Sequence, residues 1–196
     1  MVDGKLCVVG GRDNTGSILS SVECFNPSTG QWSVVAAMST ARYDHGVAVV
    51  DGKLYAVGGM DATNTRLSSV ECLDPLTGQW SAVADMSTAR YAHGVTVVDG
   101  KVYAVGGRDG TDTAVSSVDS FDSATGQWSA MAPISTARYS HGVAVVDNKL
   151  YAVGGVDDTG TIVSSAECFD PLTGEWSVVA PMSTARYLHG VAVLDF

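Results

Sequence analysis

A period of 48 residues governs this chain. Trp32, Trp80, Trp128 and Trp176 recur at that spacing, as do Gly10-Gly11, Gly58-Gly59, Gly106-Gly107 and Gly154-Gly155, and His45, His93, His141 and His189. Cut at 1–48, 49–96, 97–144 and 145–192, the 196 residues give four copies without insertion or deletion, and 23 of the 48 columns are identical throughout. One unit of this size cannot bury both of its faces, so the copies must stack on one another.

Each copy reads as four short strands. In the second, the apolar run from His45 to Val50 meets Asp51-Gly52, the dipeptide favoured in a two-residue type I′ hairpin. Lys53 to Val57 is the return strand, ending at Gly58-Gly59, and Ser68 to Leu73 is the third. The turn Asp74-Pro75-Leu76-Thr77-Gly78 follows, with Pro presetting φ and Gly able to take positive φ. Trp80 to Ala84 is the fourth strand, and Met86 to Tyr91 leads into the next copy. No window carries a helical period, so the expected class is all-β. Four-stranded units of this length pack face to face around an axis.

This order of motifs, an apolar strand, Asp-Gly, Lys-Leu-Tyr-Ala-Val-Gly-Gly, Ser-Ser-Val-Glu, Asp-Pro, Trp and Met-x-x-x-Arg, resembles the kelch repeat, most of all that of BTB–kelch ubiquitin-ligase adaptors. The resemblance runs the length of the chain. Cys7 in place of the strand tyrosine and Ser123 in place of the turn proline depart from it. It implies a β-propeller, in which six or seven blades are usual and four are present here. The expected domain is a single kelch propeller over 1–196, with 185–196 supplying the innermost strand of the first blade. An open arc would leave roughly 500 Å² of apolar surface wet at each end, about 12 kcal/mol at 25 cal/mol/Å². Closure is therefore expected, either in cis as four blades or in trans as an eight-bladed homodimer. The trans form needs the smaller turn per blade.

The loops after the second and fourth strands share one end of such a blade, and there the copies diverge. Asp44, Ala92, Ser140 and Leu188 differ within an otherwise constant Ser-Thr-Ala-Arg-Tyr-x-His-Gly, and Arg12, Arg66 and Arg108 stand in the other variable loop. The resemblance implies peptide or protein binding by these loops; the plainer alternative is drift at solvated tips. Arg42, Arg90, Arg138 and Arg186 occur in every copy. Their first reading is structural, pairing with a nearby aspartate or loop carbonyls, and their second is ligand contact. The recurrent Trp and Tyr read as packing between blades.

Other chemistry finds little support. A ring of four histidines could hold an axial metal, but no carboxylate or thiol joins them at ligand spacing, and neither a metal nor any other cofactor is expected. The Asp-x-Thr loops are too poor in oxygen ligands for calcium, and Gly-Gly without a following helix is no phosphate cradle. No catalytic set stands out; the rival reading is a kelch-type, epimerase-like sugar enzyme. With 11 basic against 21 acidic residues, nucleic acid and anionic membrane are poor partners. No apolar run approaches the length of a spanning helix or a signal peptide. The cysteines, Cys7, Cys24, Cys72 and Cys168, read as repeat positions rather than a disulfide framework, which suggests a reduced, cytoplasmic setting. The expectation is a non-enzymatic binding propeller: a substrate-recognition module, or a designed or recently amplified repeat scaffold.

Overall fold

The computed structural model describes residues 4–194, and all its regular structure is strand. Three blades are four-stranded antiparallel meanders. The second blade is β4 (Gly46–Val50), β5 (Lys53–Val57), β6 (Val70–Asp74) and β7 (Gln79–Ala82); the third is β8 (Gly94–Val98), β9 (Lys101–Val105), β10 (Val118–Asp122) and β11 (Gln127–Met131). The fourth is β13 (Gly142–Val146), β14 (Lys149–Val153), β16 (Ala166–Asp170) and β17 (Glu175–Val179), while β12 (Arg138–Tyr139) and β15 (Val156–Asp157) form a small ribbon between blades. The first blade has only β1 (Leu6–Val9), β2 (Val22–Asn26) and β3 (Gln31–Val35).

Turn chemistry sets the register. Val50 pairs with Lys53 across Asp51 and Gly52, whose φ angles of 50° and 72° are the two positive values a type I′ turn demands. The blades then pack face to face. Tyr55 of β5 meets Phe121 of β10 with ring centroids 5.5 Å apart, and Tyr103 of β9 meets Phe169 of β16 at 5.7 Å. The tryptophans of the later blades each reach back one blade: Nε1 of Trp80, Trp128 and Trp176 donates to the carbonyls of Ala36, Ala84 and Ala132 at 2.8, 2.9 and 2.9 Å. The innermost strands come close together. A Cβ added at Gly46 would lie 1.9 Å from Val95 Cγ2, so only glycine fits where these strands meet.

Two expectations are adjusted. Closure by 185–196 within the chain is not seen among the described residues, and closure in trans is left standing: Gly190–Leu194 forms no ladder with β1 and lies against the fourth blade, where a Cβ on Gly142 would strike Val191. The arc is open among the described residues; Met1–Asp3, Asp195 and Phe196, which entered the closure argument, lie outside them. The second correction concerns the cysteines. Cys7 and Cys24 face each other on β1 and β2 and are joined by a disulfide, whereas Cys72 and Cys168 are free and buried. The other blades place a tyrosine opposite this column, as in Tyr55↔Cys72. In the first copy Cys7 stands in place of that tyrosine and bridges to Cys24, so this pair is a disulfide as well as a repeat position.

Candidate functional site

The four variable positions converge on one mouth of the arc. Asp44, Ala92, Ser140 and Leu188, with His45, His93, His141 and His189 beneath them, line an open concavity of about 300 Å³. Their backbone is unusual: φ is 50°, 51°, 51° and 53°, the left-handed region that costs a side-chain-bearing residue energy. A belt of backbone hydrogen bonds holds them there. Ala92 N–H donates to Asp44 O at 2.9 Å, Ser140 N–H to Ala92 O at 2.8 Å, and Leu188 N–H to Ser140 O at 2.9 Å. The belt uses no side chain, so each position is free to carry an acid, a methyl, a hydroxyl or an isobutyl group. The Asp44 carboxyl is raised by partial loss of water, against the pull of Arg12.

The histidines are wedges. A Cβ on Gly58 would lie 3.0 Å from His93 Cε1 and one on Gly107 2.7 Å from His93 Cβ, so this imidazole fills the gap between Gly-Gly pairs of successive blades. Burial, helped by the charge of a neighbouring arginine, lowers His45 to about 4 and His141 to about 3, so these two imidazoles are uncharged at neutral pH. Among the described residues no three His, Cys, Asp or Glu side chains gather within reach of one metal ion.

Arg12, Arg66 and Arg108 rim the mouth on the other variable loop. Arg12 stacks on Tyr43 with its guanidinium carbon 3.8 Å from the ring centre, and Arg108 on Tyr139 at 4.1 Å while donating to its hydroxyl. Arg66 is paired with Asp112. The aspartates of these loops fold the loops themselves: Asp13 Oδ1 accepts from Thr15 and Ser17 N–H at 2.9 Å each, and Asp61, Asp109 and Asp157 repeat the pattern.

The constant arginines do something else. Arg42, Arg90 and Arg138 are 0% exposed. Arg42 donates to the carbonyls of Gly58 and Ser69 at 2.8 and 3.1 Å and to Glu71 at 2.7 Å, and Arg90–Asp119 and Arg138–Glu167 repeat the pair at 2.6 and 2.9 Å. Glu71 is pulled up by burial, yet Ser39 N–H and hydroxyl and the Arg42 guanidinium outweigh that and leave it lowered. Each arginine has its backbone in one blade and its charge in the next, which makes it a clamp with no surface for a ligand. The ligand assignment is therefore withdrawn for these three; Arg186 alone is exposed. The partners are a strand carboxylate, an aspartate in the third blade and a glutamate in the second and fourth, together with carbonyls of the kind the structural reading expected. The signal of the carboxylate was present, since positions 23, 71, 119 and 167 are acidic in every copy.

Comparison with known proteins agrees with this architecture. The kelch-repeats domain described as KLHDC2/KLHL20/DRC7 matches residues 1–195. Among solved structures, "Structure of YjhT" superposes with a TM-score of 0.83 at 17% identity, over 97% of this chain and 71% of that one. At that identity the likeness is one of fold. The chain belongs to the KLHDC2/KLHL20/DRC7 kelch-repeats domain family.

Proposed function

We propose that this chain is a non-enzymatic binding module whose mouth, built from Asp44, Ala92, Ser140 and Leu188 and rimmed by Arg12, Arg66 and Arg108, receives a protein or peptide segment. The kelch fold supports a protein-binding role in general. The finer reading rests on one observation: a side-chain-independent backbone belt carries four different side chains around a single shallow concavity. Such a surface offers one carboxylate, one hydroxyl and two apolar groups over a floor of imidazoles, with stacked guanidinium groups beside it. An extended segment with mixed chemistry fits that surface better than a small polar substrate, which needs a deep pocket with convergent polar groups.

The test is selection of peptides from a random library on the immobilised protein, followed by titration of the winners. Against a variant carrying Asp44→Ala, Ser140→Ala and Leu188→Ala, affinity is expected to fall by about tenfold or more, since a few contacts dominate such interfaces. Ala92 shows that alanine is accommodated in this backbone conformation, so the variant should keep its fold. Equal binding to both proteins would reject the mouth as the site. Turnover in a panel of sugars would favour the epimerase-like reading instead.

A further inference from the structure

Among the described residues the same joint is made three times, and both halves of a fourth stand unmade. In each internal joint an arginine is buried against a carboxylate of the next blade, a tryptophan indole donates back to an alanine carbonyl, and the mouth belt crosses from blade to blade. At the first blade, the receiving half stands open. Glu23, in the column of Glu71, Asp119 and Glu167, is exposed, and Trp32 is half exposed. Leu6 is 62% exposed where Leu54 is 4%, and Val8 is 54% exposed where Ala56 is 0%. At the fourth blade, the giving half stands open. Arg186 keeps its backbone tie, accepting from Gly155 N–H at 2.8 Å, but its guanidinium lies in solvent.

The strand inventory is complementary in the same way. Gly190–Leu194 lies on the fourth blade as each innermost strand lies on the blade before it: Val191 fills the space over Gly142 as Val95 does over Gly46. An apolar hollow of about 420 Å³ bounded by Ala144, Tyr151 and Val193 remains beside it. β1 meanwhile offers a free edge, since its blade has no innermost strand among the described residues. The register of β4 on β5 carries over directly, setting Gly190 opposite Val9, Val191 opposite Val8, Ala192 opposite Cys7 and Val193 opposite Leu6.

We infer that a second copy of this chain covers both faces, the fourth blade of each copy docking on the first blade of the other to close a two-chain ring. The interface is continuous with one already built three times, and its charges match, Arg186 against Glu23. Closure within one chain asks for a different curvature. The four blades superpose on 71% of a longer chain, a bend of roughly 60° per blade where such a chain closes a ring; eight blades need about 45° each and four about 90°, so the two-chain ring is the smaller distortion.

Mass by light scattering across a dilution series tests this, with Glu23→Arg and Arg186→Glu as exposed-surface variants. The wild type is expected at about 41 kDa, twice the 20.3 kDa of one chain. Each single variant sets like charges together at both joints, and its dissociation constant should rise by about 100-fold or more. Mixing the two variants in equal amounts restores both attractions. One joint of the mixed ring keeps the native pair, and in the other the arginine introduced at position 23 faces the glutamate introduced at position 186. The mass should then return to that of the wild type. A wild type at one chain mass at all concentrations, or a series of ever larger masses, overturns the two-chain ring. So does a mixture that stays monomeric, because a ring closed in cis cannot be rescued by a second chain. The wild-type mass decides the matter even if a variant fails to fold.

Discussion

Arg42 and Asp44 are two residues apart in one loop, and they answer to different demands. The arginine side chain is sealed between blades with every donor aimed at a fixed acceptor except Nε, and its column never changes. The aspartate holds its place through backbone alone, and its column changes in every copy. Within a repeat protein, constancy between copies marks side chains that the joints require, and divergence marks side chains that the fold leaves free. Function is most economically placed on the free ones.

The largest test of that contrast is at the central joint. Arg90→Met removes the only cation facing Asp119 among the described residues at a site where both are buried, leaving a carboxylate without its partner. Breaking a buried pair from one side costs about 3–5 kcal/mol, so the unfolding midpoint should drop by about 10 °C. Replacing both partners together, Arg90→Met with Asp119→Leu, should recover much of that loss. If the single variant melts like the wild type, the clamp reading fails.

Next in size is the disulfide. It closes a loop of 17 residues at the open edge of the first blade, worth about 3 kcal/mol by chain entropy. Reductant should lower the melting midpoint of the wild type and leave Cys7→Ser unmoved, which separates the bridge from any general effect of the reductant. Cys7→Tyr restores the residue of the other copies and should recover part of the loss through packing. Equal sensitivity of wild type and Cys7→Ser to reductant would place the effect elsewhere.

The histidine wedges make a contribution of comparable size that appears only as pH falls. His45 and His141 fall from the ordinary 6.5 to about 4 and about 3, so the unfolded chain binds protons in a range where the folded chain does not. Stability is whole above about pH 6.5 and is lost progressively as pH falls toward 4. Between pH 7 and pH 5 the midpoint should fall by about 10 °C. His141→Asn should flatten that slope, and an unchanged slope would mean the imidazoles titrate freely.

These contrasts also show what could be read before any coordinates. The 48-residue period, Asp51-Gly52 and the tryptophan column led to four-stranded units with their hairpins in place, because those features act locally or between identical neighbours. The structural role of the constant arginines was legible, but their strand carboxylate was not, although both columns are constant in charge, because the pair joins residues 29 apart in different copies. The disulfide escaped because Cys7 was read as a lone departure from a tyrosine; only the strand register sets it against Cys24. The mouth was found through divergence between copies, but its left-handed backbone was not, since Asp, Ala, Ser and Leu give no glycine to announce it. The belt of hydrogen bonds that imposes that conformation runs between repeats and leaves no trace in composition.

That belt yields the smallest and sharpest expectation. Position 140 sits at φ 51° with a serine whose side chain makes no hydrogen bond in the belt, so Ser140→Gly relieves the strain of a left-handed backbone while adding entropy to the unfolded chain. The two effects oppose each other, and the net change should be stabilising by up to about 1 kcal/mol. Ser140→Val reverses the balance, because a β-branched residue suffers most at positive φ, and should cost about 1–2 kcal/mol. If the mouth is a binding surface, Ser140→Gly should also weaken a selected peptide while the protein itself becomes more stable. Stability and affinity moving in opposite directions at one residue is the behaviour that separates a side chain kept for a ligand from one kept for the fold; loss of both together would place Ser140 with Arg42, among the joints.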